Sequence, residues 1–511
     1  MSKKLKHSAG LIGAQPVFGF AVKNGQWLEP RGLAPRLLEP ALLSGLSRAA
    51  EVGQQVQLFR TRAIWEMGDA MKRVKTTRYY WKKLSSWLLV MLLVLVSVYP
   101  GFAQSSDQPT EAQQAKFGGP DTVPNRIESE RVDKDTLYEF EFMKPYYEWK
   151  DRILEKYGYT YALDYYPIYL KASDSLPGTD DDAASAVMRF SGFWQLMGRA
   201  EDSNSSGTLV YLVEHRHGYT DNLPAEFALE SLGYVGFIGI PYGSEGGLHL
   251  TNLYWNQEWQ NGFGFAAGFL DVTDWVDVYA LTSPWTDFYN FVFSIGAATM
   301  DLPDDAALGF GAGGWLADNV YLIAGFEDLN SDPNDPLEGF DTFFNDHEFF
   351  KHVEIGWVTS AREQYYLDNL HLTLWHADER DEIDVEDGWG AFLSVSHTFA
   401  EKWLLFARGG FAEDGGSLLE RSVSIGAGFA PSGIGAPGFG HQLGFGVNWG
   451  RPNDALFGSG LDDQYTMEAY YRLQVAKEFS ITPDVQYLIN PALHPEEDNV
   501  WVFGLRARLS F

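Results

Sequence analysis

Residues 499–511 read Asn-Val-Trp-Val-Phe-Gly-Leu-Arg-Ala-Arg-Leu-Ser-Phe. In an extended segment this places Trp501, Phe503, Leu505, Ala507, Leu509 and Phe511 on one face and Gly504, Arg506, Arg508 and Ser510 on the other, because side chains alternate along a strand. One side is oily and the other is wet and cationic. A strand of this length crosses a tilted path through a bilayer, and a terminal aromatic is typical of barrels that span an outer membrane. A soluble sheet can make one such strand, so the rest of the chain must repeat the pattern if the barrel reading is right.

It does repeat. From Tyr159 onward, period-2 segments recur sixteen times, the first over Tyr159–Leu170 and the last over Val500–Phe511. The links between them alternate in length. Even-numbered segments are followed by short links such as Gln260-Asn261-Gly262, Ala317-Asp318-Asn319, Ala400-Glu401-Lys402 and Ala476-Lys477-Glu478, as periplasmic turns would be. Odd-numbered segments are followed by longer, acidic or aromatic links, including Tyr219–Gly246, Asp271–Asp305 and Asp328–Glu348, as extracellular loops would be. Two links fit less well: Ala430–Gly440 is long for a turn and Glu413–Glu420 is short for a loop. An even count returns both ends of the barrel to one side. The fold class expected is all-β, a transmembrane antiparallel barrel of about 16 strands over residues 159–511 with a short helix ahead of it over 139–158.

Composition is compatible with that reading once its averages are taken apart. Apolar content of 45% looks soluble, but a barrel alternates lipid-facing with lumen-facing residues, so averaging hides the membrane. The 17 Trp, 26 Tyr and 35 Phe suit interfacial girdles. Cysteine is absent, which excludes disulfides and thiolate metal sites. The first 103 residues hold 15 Lys+Arg and 5 Asp+Glu, leaving a net charge of −41 on residues 104–511. Such a surface repels nucleic acid, so no nucleic-acid partner is expected.

The front of the chain looks like processing signals. Residues 71–103 carry a basic stretch from Met71, the apolar run LSSWLLVMLLVLVSVYP and then Gly101-Phe102-Ala103, which reads as a signal peptide cut before Gln104. Residues 1–70 read as an unstructured leader or as spurious upstream translation. Residues 104–138 are a predicted linker, rich in Gln, Ser, Asp, Pro and Gly in its first part. Between Pro145 and Gly158 a helix is predicted, with Trp149, Ile153 and Tyr157 on one stripe and Gly158 as its stop.

The stretch Glu468-Ala469-Tyr470-Tyr471-Arg472-Leu473-Gln474-Val475, followed by Ile481-Thr482-Pro483-Asp484-Val485-Gln486-Tyr487 and Asn490-Pro491, resembles the carbohydrate-selective porins of the OprB type. The helix around Trp149, the Trp/Gln pattern of Asn252–Asn261 and the glycine-rich hairpin of Ala307–Asp328 agree, so the likeness covers roughly residues 145–511. The resemblance implies a sixteen-stranded outer-membrane channel for sugars. Its partners would be mono- or oligosaccharide solutes, outer-membrane lipid and the barrel assembly machinery, which would engage the strand ending in Phe511. A homotrimer is expected only by analogy with other porins.

Strand parity assigns the candidate site. With Met467, Ala469, Tyr471, Leu473 and Val475 outward, Glu468, Arg472 and Gln474 face the lumen, as do Asp484, Gln486, Arg506 and Arg508 on the next two strands. Carboxylates, guanidinium groups and amides together can replace the hydration of a sugar's hydroxyls. The same charges also fit a structural ion-pair ladder stiffening the wall. The link Asp271–Asp305 is too aromatic to extend into water and is predicted to fold inward, where Trp275 and Trp285 would stack on sugar rings or else anchor the loop. Asp328, Asn330 and Asp332 are spaced like a calcium loop, but Pro333 stands where such a loop needs Gly, so a solvated loop is the default. No cofactor is expected, and neither His215/His217 nor His371/His376 matches a zinc motif. The competing readings are a general or cation-preferring porin and, from another class, an exported sugar-binding or sugar-cleaving all-β protein.

Overall fold

A sheet with an apolar outside survives in hydrocarbon only if closed, because an open edge would leave backbone N–H and C=O groups without partners. The computed structural model shows that closure. It describes residues 117–132, 134–200, 203–243, 246–380, 383–434 and 440–511. The expectations for residues 1–70 and 71–103 lie outside the described residues.

Among these, sixteen strands form: β1 (Tyr159–Ala172), β2 (Asp182–Met197), β3 (Ser205–Gly218), β4 (Gly247–Trp259), β5 (Phe263–Leu270), β6 (Ala307–Ala317), β7 (Val320–Asp328) and β8 (Phe349–Val358), then β9 (Asn369–Ala377), β10 (Gly388–Phe399), β11 (Trp403–Asp414), β12 (Leu419–Phe429), β13 (Gln442–Pro452), β14 (Gln464–Ala476), β15 (Phe479–Ile489) and β16 (Asn499–Ser510). Each pairs antiparallel with its neighbours in chain order, and β16 returns to β1 with Asp164 opposite Ser510 and Tyr169 opposite Leu505. The ring has no free edge. Alternation sorts the faces: on β8 Lys351, Val353, Ile355 and Trp357 are exposed outside, while Phe350, His352, Glu354 and Val358 are buried inside.

The short links gather at one end, which we call the short-turn end, and the long loops at the other. The two ill-fitting links keep their places. Residues 415–418 are a short link among the long loops, and residues 430–441 a long one among the turns.

Among the described residues two α-helices precede β1. The second of them, α2 (Lys144–Tyr157), has Pro145 in its first turn and ends at Gly158, whose φ of 69° supplies the left-handed cap. It lies against the outward face of β1, where Trp149 meets Tyr161 edge to face at 6.4 Å. The first, α1 (Val123–Arg131), forms within the predicted linker, and there the structure departs from the composition. Nine residues do not hold a helix in water by themselves. Here Val123 and Ile127 are buried in a cluster with Ala162, Val210, Leu212 and Tyr254 of the inner wall, so tertiary contact makes the helix. A further short helix, α3 (Gly339–Asn345), turns the loop after β7 outward, with Phe340 against Phe269 at 5.4 Å.

Candidate functional site

The interior is shaped by two loops that fold back into the barrel. Residues 219–243 follow β3 and residues 271–306 follow β5, and they pair with each other: Gly239 donates its N–H to Tyr289 O at 2.8 Å and Phe291 donates to Phe237 O at 2.9 Å. Backbone carried into a barrel this way must find partners on the wall. The charged inward residues provide them.

One anchor sits on β8, β9 and β11. Asp277 holds φ at 53°, a left-handed conformation that costs a non-glycine residue of order 1 kcal/mol. Three wall residues fix it there: Glu354 accepts its N–H at 2.7 Å, the His371 Nε2 lies 2.7 Å from its carboxylate, and Arg408 pairs with the same carboxylate. Arg408 also donates to Phe293 O at 3.0 Å and Ser294 O at 2.7 Å. Tyr321 and Thr373 donate to Glu354 at 2.7 Å each. All of these side chains are buried.

The second anchor sits on β13 to β16 and contains most of the residues singled out by parity. Glu468 accepts the N–H groups of Tyr289 at 2.5 Å and Asn290 at 3.1 Å. Arg506 donates to Pro284 O at 2.8 Å and Asp287 O at 2.9 Å. Arg472 lies 3.7 Å from the Asp287 carboxylate, which also accepts from Gln442 and Tyr470. Gln486 bridges Asn290 and Asp484 at 3.1 and 3.0 Å. So Glu468, Arg472, Gln486 and Arg506 grip the loop, with Asp484 tied in behind them.

Gln474 and Arg508 stand apart from this group. Gln474 bonds locally to Ala476 O at 2.8 Å, near the short-turn end. Arg508 bridges Glu130 of α1 at 2.5 Å and Asp164 of β1 at 3.0 Å. The aromatic pair divides as well. Trp285 is buried against Tyr166 and Tyr242, with the Arg189 guanidinium 4.0 Å from its ring centre. Trp275 packs edge-on against Tyr254 at 5.1 Å and is only partly buried.

The three residues spaced like a calcium loop act in turns. Asp328 accepts from Asn330 N at 3.2 Å and from the Thr342 hydroxyl, and Asp332 accepts from Asn334 N at 2.7 Å. Among the described residues no group of three or more His, Asp or Glu side chains is placed to hold a metal.

Beside the first anchor, on β6, the wall thins. On β6 the inward positions include Gly309, Gly311 and Gly313, and Gly325 faces inward on β7. Gly311 is half-exposed, and a Cβ built there would meet nothing within 4 Å. This leaves open space on β6 at Gly311, whose sequence signal is glycine at alternate positions of an amphipathic strand. The loop anchors Asp277, Glu354, His371 and Arg408 carried a signal too, since the last three sit at inward positions of their strands. Their partner lies in a loop far away in sequence.

A closed sixteen-stranded antiparallel barrel with long loops folded into a polar lumen is a porin of the bacterial outer membrane. Residues 238–511 match the family described as carbohydrate-selective porin, OprB family, and the chain belongs to it. The match takes in the loop 271–306 and the glycines of β6 but begins after α1 and β1 to β3. The high-pH structure of Pseudomonas putida OprB is 16% identical over 71% of this chain and 96% of that one, with a TM-score of 0.51. The low-pH structure is 12% identical over 74% and 100%, with a TM-score of 0.42. A mutant of Rh. blastica porin is 13% identical over 69% and 100%, with a TM-score of 0.44. At such identities the first of these speaks for the fold alone. No curated protein matches the chain.

Proposed function

We propose that the protein lets mono- or oligosaccharides diffuse passively across the outer membrane, moving along the lane between the glycines of β6 and the inward-folded loops. The open space at Gly311 carries this reading. Trp275, only partly buried, is the aromatic placed to touch a sugar ring, whereas Trp285 holds the loop. Glu468, Arg472, Gln486 and Arg506 act on the solute indirectly, by fixing the shape of the constriction. Export through the segment 71–103 and insertion through the strand ending at Phe511 belong to the same reading. Gly311→Trp tests it: liposomes carrying the variant should swell several-fold more slowly in sugar than those carrying the parent barrel, and equal swelling would sink the lane.

One observation favours a second reading, a cation preference. Asp271 and Asp305 flank the loop 271–306, with Asp274 close behind Asp271. Enclosure in the barrel and then Asp305 push the Asp271 carboxyl up to about 7. Enclosure and then Asp271 raise Asp274 as well. A carboxyl raised in part by a neighbouring acid stands in a locally negative potential, which draws cations. Reversal potentials across a planar bilayer under a salt gradient separate this from a solute channel without ion preference.

A further inference from the structure

The open lane at Gly311 does not continue freely to the short-turn end. One position further along β6, on the same inward face, a Cβ at Gly313 would lie 3.1 Å from the ring of Phe117. That ring stacks on Trp315 with centroids 5.8 Å apart and meets Tyr365 edge-on at 6.0 Å. From Phe117 the chain leaves this wall and runs past the inner faces of β4, β3 and β1. Gly119 donates to Asp274 O at 2.7 Å and Ser283 donates to Asp121 at 2.7 Å, so the segment leans on the constriction loop. Helix α1 follows, held by Arg126 to Asp164 at 2.6 Å and by Glu130 to Arg508 at 2.5 Å. Beyond it, Tyr138 donates to Val475 O of β14 at 2.9 Å.

Like the loops, this strap is tied to the wall by ion pairs and joins no ladder of the barrel, but its helix is nine residues long and Thr122 at the N-cap makes no side-chain cap. A helix that short is stable only while it is docked, so undocking and unfolding are one event. A solute coming down the lane would meet Phe117 and then α1. We infer that residues 117–132 are a plug for the short-turn, periplasmic mouth of the channel, which must leave its seat on the inner wall for a sugar to pass. The inference rests on the channel reading above, and it concerns a segment that precedes the part of the chain matched to the family.

The sequence contains no cysteine, so one engineered disulfide can lock the strap without competition. A Cβ at Gly119 would lie 3.1 Å from the Val278 Cβ, slightly closer than the ~3.5–4.5 Å of a disulfide and within a small adjustment of it. Gly119→Cys with Val278→Cys should therefore tie the strap to the constriction loop under oxidation. The experiment compares the parent chain, this double variant oxidised and reduced, and a chain lacking residues 117–132. Each is refolded to a heat-modifiable barrel on gels and measured by single-channel conductance and by sugar swelling.

The expected result is a deletion that conducts several-fold more than the parent, and an oxidised variant whose flux falls well below the parent and returns with reductant. A second, milder variant, Phe117→Ala, should raise flux without removing the helix. If the deletion and the oxidised form both conduct like the parent, the plug is wrong and the channel stands. If every form is silent to sugar and to salt, the channel reading fails and the plug goes with it.

Discussion

The two sides of the inner wall are built on opposite principles. On β8 to β16 it carries buried ionic and amide groups, and Glu354, His371, Arg408, Glu468 and Arg506 among them are spent on backbone atoms or carboxylates of the loop 271–306. On β6 it carries glycine at alternate positions, and at Gly311 the space is open. A charge facing a lumen is therefore not evidence of a charge facing the solute. Once a loop folds inward, the groups that face it are consumed in holding it, and the route is left where side chains are missing.

The strongest way to break this contrast is to cut an anchor. Arg408→Ala removes the guanidinium from the Asp277 carboxylate and from three loop carbonyls at once. Breaking a buried pair costs ~3–5 kcal/mol because the surviving charge is left unpaired. The expected outcome is an intact barrel whose loop is released: faster amide exchange at residues 277–296, larger conductance, and passage of longer saccharides. An unchanged size limit would show that this wall does not set the constriction.

Placing the same bulky residue on each wall sharpens the contrast. Gly311→Trp should slow flux while leaving thermal stability near that of the parent, since the new side chain enters open space. Ser424→Trp enters a packed site, where the hydroxyl donates to Val292 O at 2.8 Å, and overpacking of that kind costs ~1–3 kcal/mol. Its expected signature is a lower melting temperature. If both variants lose stability equally, the lane is not open.

Much of this was legible in the sequence, and the reasons for the rest are specific. Period-2 patterning and link lengths locate all sixteen strands, and β1 starts at Tyr159 as predicted. Parity also places Glu468, Arg472 and Arg506 inside. What parity does not carry is which inward residues a loop will cover. That depends on the path of residues 271–306, set at Asp277 by a left-handed turn whose partners His371 and Arg408 lie far along the chain. Helix α1 was hidden for a related reason: its sequence is polar, and only the wall at Ala162, Val210 and Leu212 makes Val123 and Ile127 a packing face. The glycines of β6 were visible all along, but an absent side chain draws less notice than a charged one.

A smaller effect is expected at Glu468. Glu468→Gln keeps an acceptor for one of the two N–H groups of Tyr289 and Asn290 and gives up the charge. Hydrogen bonds to a charged group contribute ~1.5–3 kcal/mol, so part of that range should be lost. Amide exchange at residues 289 and 290 should quicken while the rest of the loop stays protected. Protection unchanged at those two amides would mean the loop is held elsewhere.

The smallest effect concerns pH and the loop acids. The Asp271 carboxyl, pushed up to about 7 by enclosure and by Asp305, binds its proton more tightly in the folded protein than an unfolded chain would. The sign follows from linkage: the folded state holds the extra proton between the ordinary carboxylate range and about pH 7, so stability falls as pH rises through that interval. The same proton removes negative charge from the lumen. Cation preference should therefore weaken as pH is lowered from 8 to 5, by a modest factor because other acids stay ionised, and Asp271→Asn should flatten the change. A reversal potential that is constant across that range in the parent barrel would place Asp271 away from the ions' route. It would then join Glu468 and Arg506 among the charges that serve the loop.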